Sequence, residues 1–233
     1  MARRPATALL VVMLVWLSNV EPTVCRDLSD GAAAAPALRV YVVRHAQAWK
    51  NVPSLLRPRG MSDEQLDALT PKGVAQAESL GKALAGHDVG AVYSSPAHRA
   101  QQTAEAIARG LGLAPPALDE AFAPLAAGTD KSALDWRWRT RNFDAGKDPR
   151  PAEGESLADG LARAARAIDA IAAQHPGSSV VVVTHGEIAA ALLGRAAGTP
   201  LVASYRKNFI DEGAVREIEI AASGKWKLAR AER

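Results

Sequence analysis

Side chains capable of chemistry follow three apolar stretches of the chain, each of strand length. Arg44 and His45 follow the first stretch, a serine pair and then Arg99 follow the second, and His185 follows the third. In open α/β sheets, ligands bind beyond the carboxyl ends of the strands, so segments distant in sequence would bring two arginines and two histidines into one crevice. A single histidine after a strand is more often structural, and a single arginine is more often solvated. Their coincidence at three strand ends favours a shared site.

Two arginines and two histidines suit phosphoryl transfer. Two guanidinium groups can clamp a phosphate dianion through bidentate hydrogen bonds. Their positive charge lowers the pKa of a neighbouring histidine, and a neutral imidazole can attack phosphorus. We expect no metal and no other cofactor, because the arginines supply the charge neutralisation that magnesium supplies elsewhere. The chain also lacks a Walker loop, a His-x-x-x-His pair and a cluster of aspartates.

Segments typical of strands and helices alternate along the chain. The predicted strands cover residues 38–43, 88–93 and 179–184, and the last of these is nearly all valine, as expected for a strand covered on both faces. The alternation predicts an α/β fold, a three-layer α/β/α sandwich with a mostly parallel central sheet. A hairpin over residues 214–220 and 225–230 is predicted at the end.

Four helices are predicted between these strands. The first starts at Thr70-Pro71, an N-cap followed by proline at the first helical position. Its predicted buried face holds four apolar side chains, Val74, Ala77, Leu80 and Leu84. The other helices are predicted over residues 97–111, over residues 155–174 and directly after Gly186.

Composition excludes several classes of protein. The chain has 233 residues, of which 48% are hydrophobic and 23% charged, so it can bury a substantial core and is not a disordered tail protein. A single cysteine, Cys25, excludes an intramolecular disulfide framework and a multi-cysteine zinc site. The formal net charge of +3 is too small to indicate a nucleic-acid partner.

The first 35 residues differ from the rest. Arg3 and Arg4 precede an uncharged run over residues 5–20, which is typical of the charged and apolar regions of a signal peptide. We therefore expect an exported protein, periplasmic or secreted, cleaved near Asn19 or within residues 32–35. An uncleaved N-terminal anchor, or an extension upstream of the true start, is the alternative.

Beyond such an anchor, no stable membrane insertion is expected, because no stretch reaches the roughly 20 apolar residues that a spanning helix needs. Residues 1–35 are thus assigned to the signal peptide or anchor with its linker, and residues 36–233 to the catalytic domain. Residues 128–154, rich in Trp, Arg, Pro and Gly, are the predicted irregular insert or cap.

Five motifs, in order from Val40 to about Leu193, resemble those of the histidine phosphatase superfamily, the phosphoglycerate mutase-like proteins. Glycine rather than aspartate after the second histidine resembles the mutase-like branch 1 and not the acid phosphatase branch. The motifs are RHAQAWKN from Arg44, LTPKGVAQA from Leu69, YSSPAHRAQQTA from Tyr93, GES from Gly154 with Arg163 downstream, and THG from Thr184.

The resemblance implies a role for each residue of the predicted site. His45 would be the nucleophile and become phosphohistidine. Arg44, Arg99 and His185 would hold the phosphoryl oxygens, with His185 protonated as a donor. Asn51, whose spacing within its motif is kept, would be a further donor on the phosphate side.

The proton donor is implied at Glu120, in the sequence Leu118-Asp119-Glu120. Glu120 would protonate the leaving oxygen and then deprotonate the water that hydrolyses the phosphoenzyme, and we expect it to be partly buried. Residues 121–125 depart from the G-D-W-E-G stretch common in the family, so Asp119 and Glu155 remain alternatives. Ala48 also replaces a threonine, which removes a hydroxyl near the phosphate.

The implied activity is metal-independent hydrolysis of a small phosphorylated molecule. The alternatives are a phosphoglycerate mutase-type isomerase and a non-catalytic protein that binds phosphorylated ligands. True mutases continue the first motif as N-x-F-x-G-W-x-D, whereas here Asn51 is followed by Val-Pro-Ser-Leu-Leu-Arg. The alternating aromatic and basic residues 136–141 are expected either to line the site or to pack on the surface with solvated arginines.

Overall fold

One sheet organises the chain in a computed structural model that describes residues 38–229. The strands are β1 (Leu38–Arg44), β2 (Val89–Ser94), β3 (Ala117–Leu118), β4 (Ser179–Thr184), β5 (Val215–Ile220) and β6 (Trp226–Leu228). Their order across the sheet is β3-β2-β4-β1-β5-β6. The first four in this order run parallel, and β5 and β6 add an antiparallel edge. The predicted mostly parallel sheet and C-terminal hairpin are confirmed, whereas the short strand β3 was not predicted.

Helices cover both faces of the sheet. Alternate residues of β1 point to opposite faces of the sheet. Tyr41 and Val43 pack in the core with α2 (Pro71–Leu84) and α3 (His98–Leu111), whereas Val40 and Val42 pack in the core with α5 (Leu157–Gln174) and α6 (Gly186–Ala197). The predicted three-layer α/β/α sandwich is therefore confirmed. The helices are α1 (Asp63–Asp67), α2 (Pro71–Leu84), α3 (His98–Leu111), α4 (Trp136–Asp144), α5 (Leu157–Gln174), α6 (Gly186–Ala197) and α7 (Leu201–Lys207).

The valine-rich strand β4 lies in the interior of the sheet, between β1 and β2. Every residue of β4 is buried, as its sequence predicts. Full burial of a valine side chain contributes about 1.5–3 kcal/mol, so this strand anchors the carboxyl edge where β1, β2 and β4 end together.

Helix α2 begins as predicted, because the Thr70 side chain accepts a hydrogen bond from the Gly73 backbone N–H and Pro71 is the first helical residue. Its predicted buried face is wrong at Val74, which is 45% exposed. Gly73 faces inward instead, so close to the Gln47 carbonyl oxygen that a β-carbon there would lie only 2.0 Å from it. The close approach of Gly73 to Gln47 thus sets the orientation of the helix, in which Gly73 and Ala77 face the protein interior.

The predicted insert, residues 128–154, is less irregular than its composition indicates, since it contains α4. Its ends meet where the Thr129 backbone N–H donates to the Ala152 carbonyl at 3.0 Å. Gly128 has φ +60°, and a β-carbon there would lie 1.9 Å from the Ala152 oxygen. The role of this segment as a cap remains a prediction.

Two features of α4 differ from a surface helix with solvated arginines. Trp136 is 60% exposed, and the Arg137 guanidinium covers its ring at 5.2 Å. Arg139 is buried and donates to the carbonyls of Ala126 and Glu155 at 3.1 and 3.2 Å. Of the two alternatives for this stretch, the one with solvated arginines is wrong for Arg139, which ties the flanks of the segment together.

The predicted signal peptide or anchor, residues 1–35, lies outside the described residues, as does Cys25. Within residues 38–229, no helix combines the length and the apolar character that crossing a bilayer requires.

Candidate active site

The structure brings His45, Arg99 and His185 into direct contact. His45 follows β1, Arg99 lies in the first turn of α3 after β2, and His185 is the N-cap residue of α6 after β4. Because the three strands are parallel neighbours, their carboxyl ends deliver these side chains to one edge of the sheet. The Arg99 Nε lies 3.0 Å from the His45 Nε2, and the Arg99 Nη2 lies 2.8 Å from the His185 Nδ1. One guanidinium therefore bridges the two imidazoles, whose ring centroids are 5.2 Å apart.

The partners of His45 assign its tautomer. Its Nδ1 lies 2.8 Å from the Ala46 carbonyl oxygen, which can only accept, so Nδ1 carries the proton. Its Nε2 accepts from Arg99 and therefore holds the lone pair. The nitrogen available for nucleophilic attack is Nε2.

The same reasoning applies to His185. Its Nδ1 accepts from the Arg99 guanidinium, which leaves the proton on Nε2. That Nε2 lies 2.8 Å from the Ser95 hydroxyl oxygen and donates to it. His185 is thus a neutral hydrogen-bond donor fixed between Arg99 and Ser95, the first residue after β2.

Burial and positive charge keep both imidazoles neutral. The pKa of His45 is lowered from 6.5 to about 3, first because the ring is buried and then because Arg99 and Arg44 lie nearby. Burial and the charge of Arg99 also hold the pKa of His185 well below its usual value. The lowered pKa of His45 agrees with the neutral imidazole that was expected from the sequence. Burial and Arg99 both oppose a proton on His185 in this structure, and a protonated His185 that holds phosphoryl oxygens stays a prediction.

Asp67, which was not identified from the sequence, forms an ion pair with Arg99. Its carboxylate contacts the Arg99 Nη1 closely, and it also accepts from the Lys50 Nζ at 2.8 Å and from the His98 backbone N–H at 2.9 Å. Burial acts to raise the pKa of Asp67, but the hydrogen bond from Lys50 and the charge of Arg99 outweigh it and lower that pKa. No motif marks Asp67, which lies in the five-residue helix α1.

The terminal nitrogens of Arg44 bind the segment that follows α7 rather than either histidine. Its Nη1 donates to the Ile210 carbonyl at 3.0 Å, and its Nη2 binds the Glu212 carboxylate at 2.7 Å. The guanidinium covers the Phe209 ring at 4.9 Å. Its Nε is buried without a hydrogen-bond partner among the described residues. A buried N–H donor without a partner is costly, so this atom is suited to bind an anion.

Glu120 begins a 3₁₀-helix, Glu120–Phe122, which Asp119 separates from β3. It is exposed, so the expected partial burial is wrong. Arg163 fixes the backbone of this segment, because its Nη1 donates to the Ala121 carbonyl at 2.7 Å and its Nη2 to the Ala123 carbonyl at 2.8 Å. The backbone is therefore held while the Glu120 side chain faces solvent.

The two alternative proton donors are both engaged elsewhere. The Asp119 carboxylate accepts from the Ala121 backbone N–H at 2.7 Å. Glu155 forms an ion pair with the Arg163 Nε at 2.8 Å, and that hydrogen bond lowers the pKa of the Glu155 carboxyl despite its partial burial. Of the three candidate acids, Glu120 is the one whose carboxylate makes no hydrogen bond within residues 38–229.

Asn51 is exposed at the end of the 3₁₀-helix Trp49–Asn51. Its Oδ1 accepts from the Ala48 backbone N–H at 3.0 Å, so this oxygen stabilises the turn after β1. The structure does not bring Asn51 into hydrogen-bond contact with either histidine. Its amide nitrogen is the group that remains suited to a ligand.

Within the described part of the chain, no three His, Cys, Asp or Glu side chains are grouped so that they could bind a metal ion.

The family model of the histidine phosphatase superfamily, branch 1, matches residues 40–232, which include all of the site described above. The chain belongs to branch 1 of the histidine phosphatase superfamily.

Curated relatives of this superfamily member carry a mutase name. The chain is 31% identical over 176 residues to a probable phosphoglycerate mutase GpmB of Erwinia tasmaniensis, an alignment that covers 72% of this chain and 79% of that protein. It is also 31% identical over 180 residues to a protein of the same name from Cronobacter sakazakii, with the same coverage.

Solved structures of phosphoglycerate mutase-like histidine phosphatases share the fold. Bacillus stearothermophilus YhfR aligns with a TM-score of 0.67 at 28% identity, over 84% of this chain and 96% of that chain. A mycobacterial glucosyl-3-phosphoglycerate phosphatase in complex with VO3 aligns with a TM-score of 0.65 over 82% of this chain and 97% of that chain. Its identity of 23% limits that likeness to the fold.

Several contacts of this histidine phosphatase superfamily member lie outside its motifs. Glu212, Phe209 and Asp67 position the two arginines, yet each belongs to a segment that no motif covers. Thr103 lies inside a motif without a predicted role, and its hydroxyl accepts from the Ala46 backbone N–H at 3.0 Å. Such residues cannot be identified from their type alone, because their contacts in the site are seen only in the folded chain.

Proposed function

We propose that this protein is a phosphatase that hydrolyses small phosphomonoesters, without a metal, through a phosphohistidine on His45. The observation that carries the proposal is the geometry of Arg99, whose guanidinium contacts the lone pair of a neutral His45 and the ring of His185. The unpartnered Nε of Arg44 supports it as a second donor for an anion.

Substrate binding first requires a change of partner for Arg99. In this structure the Arg99 Nε occupies the His45 lone pair, so the nucleophile is covered. Phosphoryl oxygens carry negative charge and are better acceptors for a guanidinium than a neutral imidazole nitrogen. An incoming phosphoryl group therefore draws Arg99 onto its oxygens and exposes the His45 Nε2.

The first chemical step transfers the phosphoryl group to the protein. A bond forms between the His45 Nε2 and phosphorus, and the bond between phosphorus and the leaving oxygen breaks. Glu120 in its protonated form gives a proton to that oxygen, so an alcohol departs. Arg99, Arg44 and Asn51 stabilise the charge on the phosphoryl oxygens.

His185 contributes to the same stabilisation. Phosphate bound beside it introduces negative charge, which opposes the effect of Arg99 and favours a proton on the ring. His185, whose pKa is lowered in this structure, can thereby become a charged donor when substrate binds, as the family resemblance implies.

The second step returns the protein to its starting state. Water attacks phosphorus and gives a proton to the Glu120 carboxylate, while the bond between phosphorus and the His45 Nε2 breaks. Inorganic phosphate leaves, His45 is again neutral, and Glu120 is again protonated.

A second candidate function is a phosphoglycerate mutase, because the relatives at 31% identity are named probable phosphoglycerate mutases. The two functions differ in the second step, where a mutase returns the phosphoryl group to a second hydroxyl instead of to water.

One pair of assays separates these functions. Purified protein and its His45→Ala variant are tested for release of phosphate from an aryl phosphate, and for interconversion of 3- and 2-phosphoglycerate. Phosphate release by the parent protein, lost in the variant and without comparable isomerisation, supports the phosphatase. Rapid isomerisation with little phosphate release would favour the mutase, and failure of folded protein in both assays across a broad phosphate panel would favour a binding protein.

We also propose that residues 1–35 direct export. Fractionation of cells that express the full chain should place the protein outside the cytoplasm, and deletion of residues 1–35 should retain it inside. Cytoplasmic recovery of the full chain would contradict this proposal.

A further inference from the structure

The segment after α7, residues 209–213, surrounds the Arg44 guanidinium. The Glu212 carboxylate binds the Arg44 Nη2 at 2.7 Å, the Ile210 carbonyl accepts from its Nη1, and the Phe209 ring covers one face. The buried Nε of the same guanidinium has no hydrogen-bond partner among residues 38–229. The segment thus fixes the orientation of Arg44 and leaves its Nε–H as an unsatisfied donor.

The backbone of this segment is itself held against the first motif. The Gly213 N–H lies 3.1 Å from the Arg44 carbonyl oxygen and 3.2 Å from that of His45. The Gln76 amide donates to the Glu212 carbonyl at 3.0 Å and accepts from the Gln47 backbone N–H at 3.0 Å. The Glu212 carboxylate therefore extends from a fixed backbone.

This carboxylate has two opposite effects on a bound phosphate. It orients Arg44, which favours a defined geometry of the phosphoryl group. It also brings a negative charge close to the site, which opposes a dianion. The Glu212 and Arg44 side chains are 26% and 12% exposed, so solvent screens the repulsion only in part.

We propose that Glu212 is a positioning residue that holds Arg44 with its Nε toward the phosphoryl group, and that the charge of Glu212 limits how tightly the site retains product phosphate. The inference rests on the proposed phosphatase function. It assigns a role to a residue that lies outside the motifs and adds to that function the control of product release.

The test measures binding of inorganic phosphate by calorimetry to the parent protein, to Glu212→Gln and to Glu219→Gln. Glutamine keeps an oxygen that accepts from Arg44 but removes the charge, so the phosphate Kd of Glu212→Gln should fall about fivefold. Glu219 lies on β5 opposite Arg39, at the other end of β1 from Arg44, and pairs with Lys227 at 3.5 Å. Glu219→Gln makes the same change of net charge far from the site, so its phosphate Kd should equal that of the parent protein.

A second variant, Glu212→Ala, separates positioning from charge. It removes the acceptor for Arg44 as well, so kcat for an aryl phosphate should fall at least about tenfold below that of Glu212→Gln. An unchanged or higher phosphate Kd in Glu212→Gln, or equal kcat values for the two variants, would overturn the inference even if the parent protein is an active phosphatase. A parent protein that neither binds phosphate nor hydrolyses an aryl phosphate would instead overturn the proposed function, and this inference with it.

Discussion

The neutral state of His45 has a measurable consequence for stability. In the folded protein the pKa of His45 is about 3, whereas in the unfolded chain it is near the ordinary value of 6.5. Between these values the unfolded chain binds a proton that the folded protein does not bind, so stability falls as the pH falls from 6.5 toward 3. The His45→Gln variant lacks the imidazole that takes up this proton. Its amide oxygen can still accept a hydrogen bond from the Arg99 Nε.

The size of the effect follows from the lowered pKa. Near pH 5 the unfolded chain is about 1.5 pH units below its histidine pKa, while the folded His45 is still neutral. Each unit contributes about 1.4 kcal/mol, so His45 should lower the free energy of unfolding by about 2 kcal/mol between pH 7.5 and pH 5. His185 adds a loss in the same direction, but it does so in both proteins and drops out of the comparison.

Urea denaturation of the parent protein and of His45→Gln, in phosphate-free buffers from about pH 5 to 8.5, measures this difference. The two curves of unfolding free energy against pH should run parallel above about pH 7.5, because His45 is neutral there in both states. Between about pH 7.5 and pH 5, the free energy of unfolding of the parent protein should fall by about 2 kcal/mol more than that of the variant. Parallel curves down to pH 5 would refute the claim that burial and Arg99 keep His45 neutral.

Four further predictions concern turnover and packing. Arg99→Lys should lower kcat/KM for an aryl phosphate about 10²- to 10³-fold, because one ammonium group cannot bridge both histidines; a loss below tenfold would contradict this. Glu120→Gln should slow alkyl phosphates far more than aryl phosphates in steady-state assays, whereas equal slowing would indicate another acid. EDTA should leave turnover unchanged, and strong inhibition would reveal a required metal. Gly186→Ala should lower the Tm, because a β-carbon there lies 2.8 Å from the Phe209 ring; an unchanged Tm would show that the ring moves freely.

The sheet and the convergence of the site could be predicted because both depend on local sequence. The valine run of β4 is buried on both faces wherever its neighbours lie, and polar residues directly after parallel strands must meet at one edge. His45, Arg99 and His185 follow from these two rules without knowledge of any single contact.

Side-chain pairing could not be predicted in the same way. Arg44 was expected to face the phosphate, yet most of its hydrogen bonds go to a segment more than 160 residues away in sequence. The inward face of α2 also depended on a tertiary contact, since the approach of Gly73 to Gln47 turns Val74 outward. Glu120 was expected to be partly buried, but Arg163 holds its backbone and leaves its side chain in solvent.

Rapid-quench labelling tests the central claim most directly. The protein is mixed with an aryl phosphate labelled in its phosphoryl group, quenched during turnover, and digested to locate the label. We expect an acid-labile, alkali-stable adduct on the Nε2 of His45, formed and consumed at rates compatible with kcat and absent from His45→Ala. Steady turnover without such an adduct, or an adduct that persists in His45→Ala, would contradict the account.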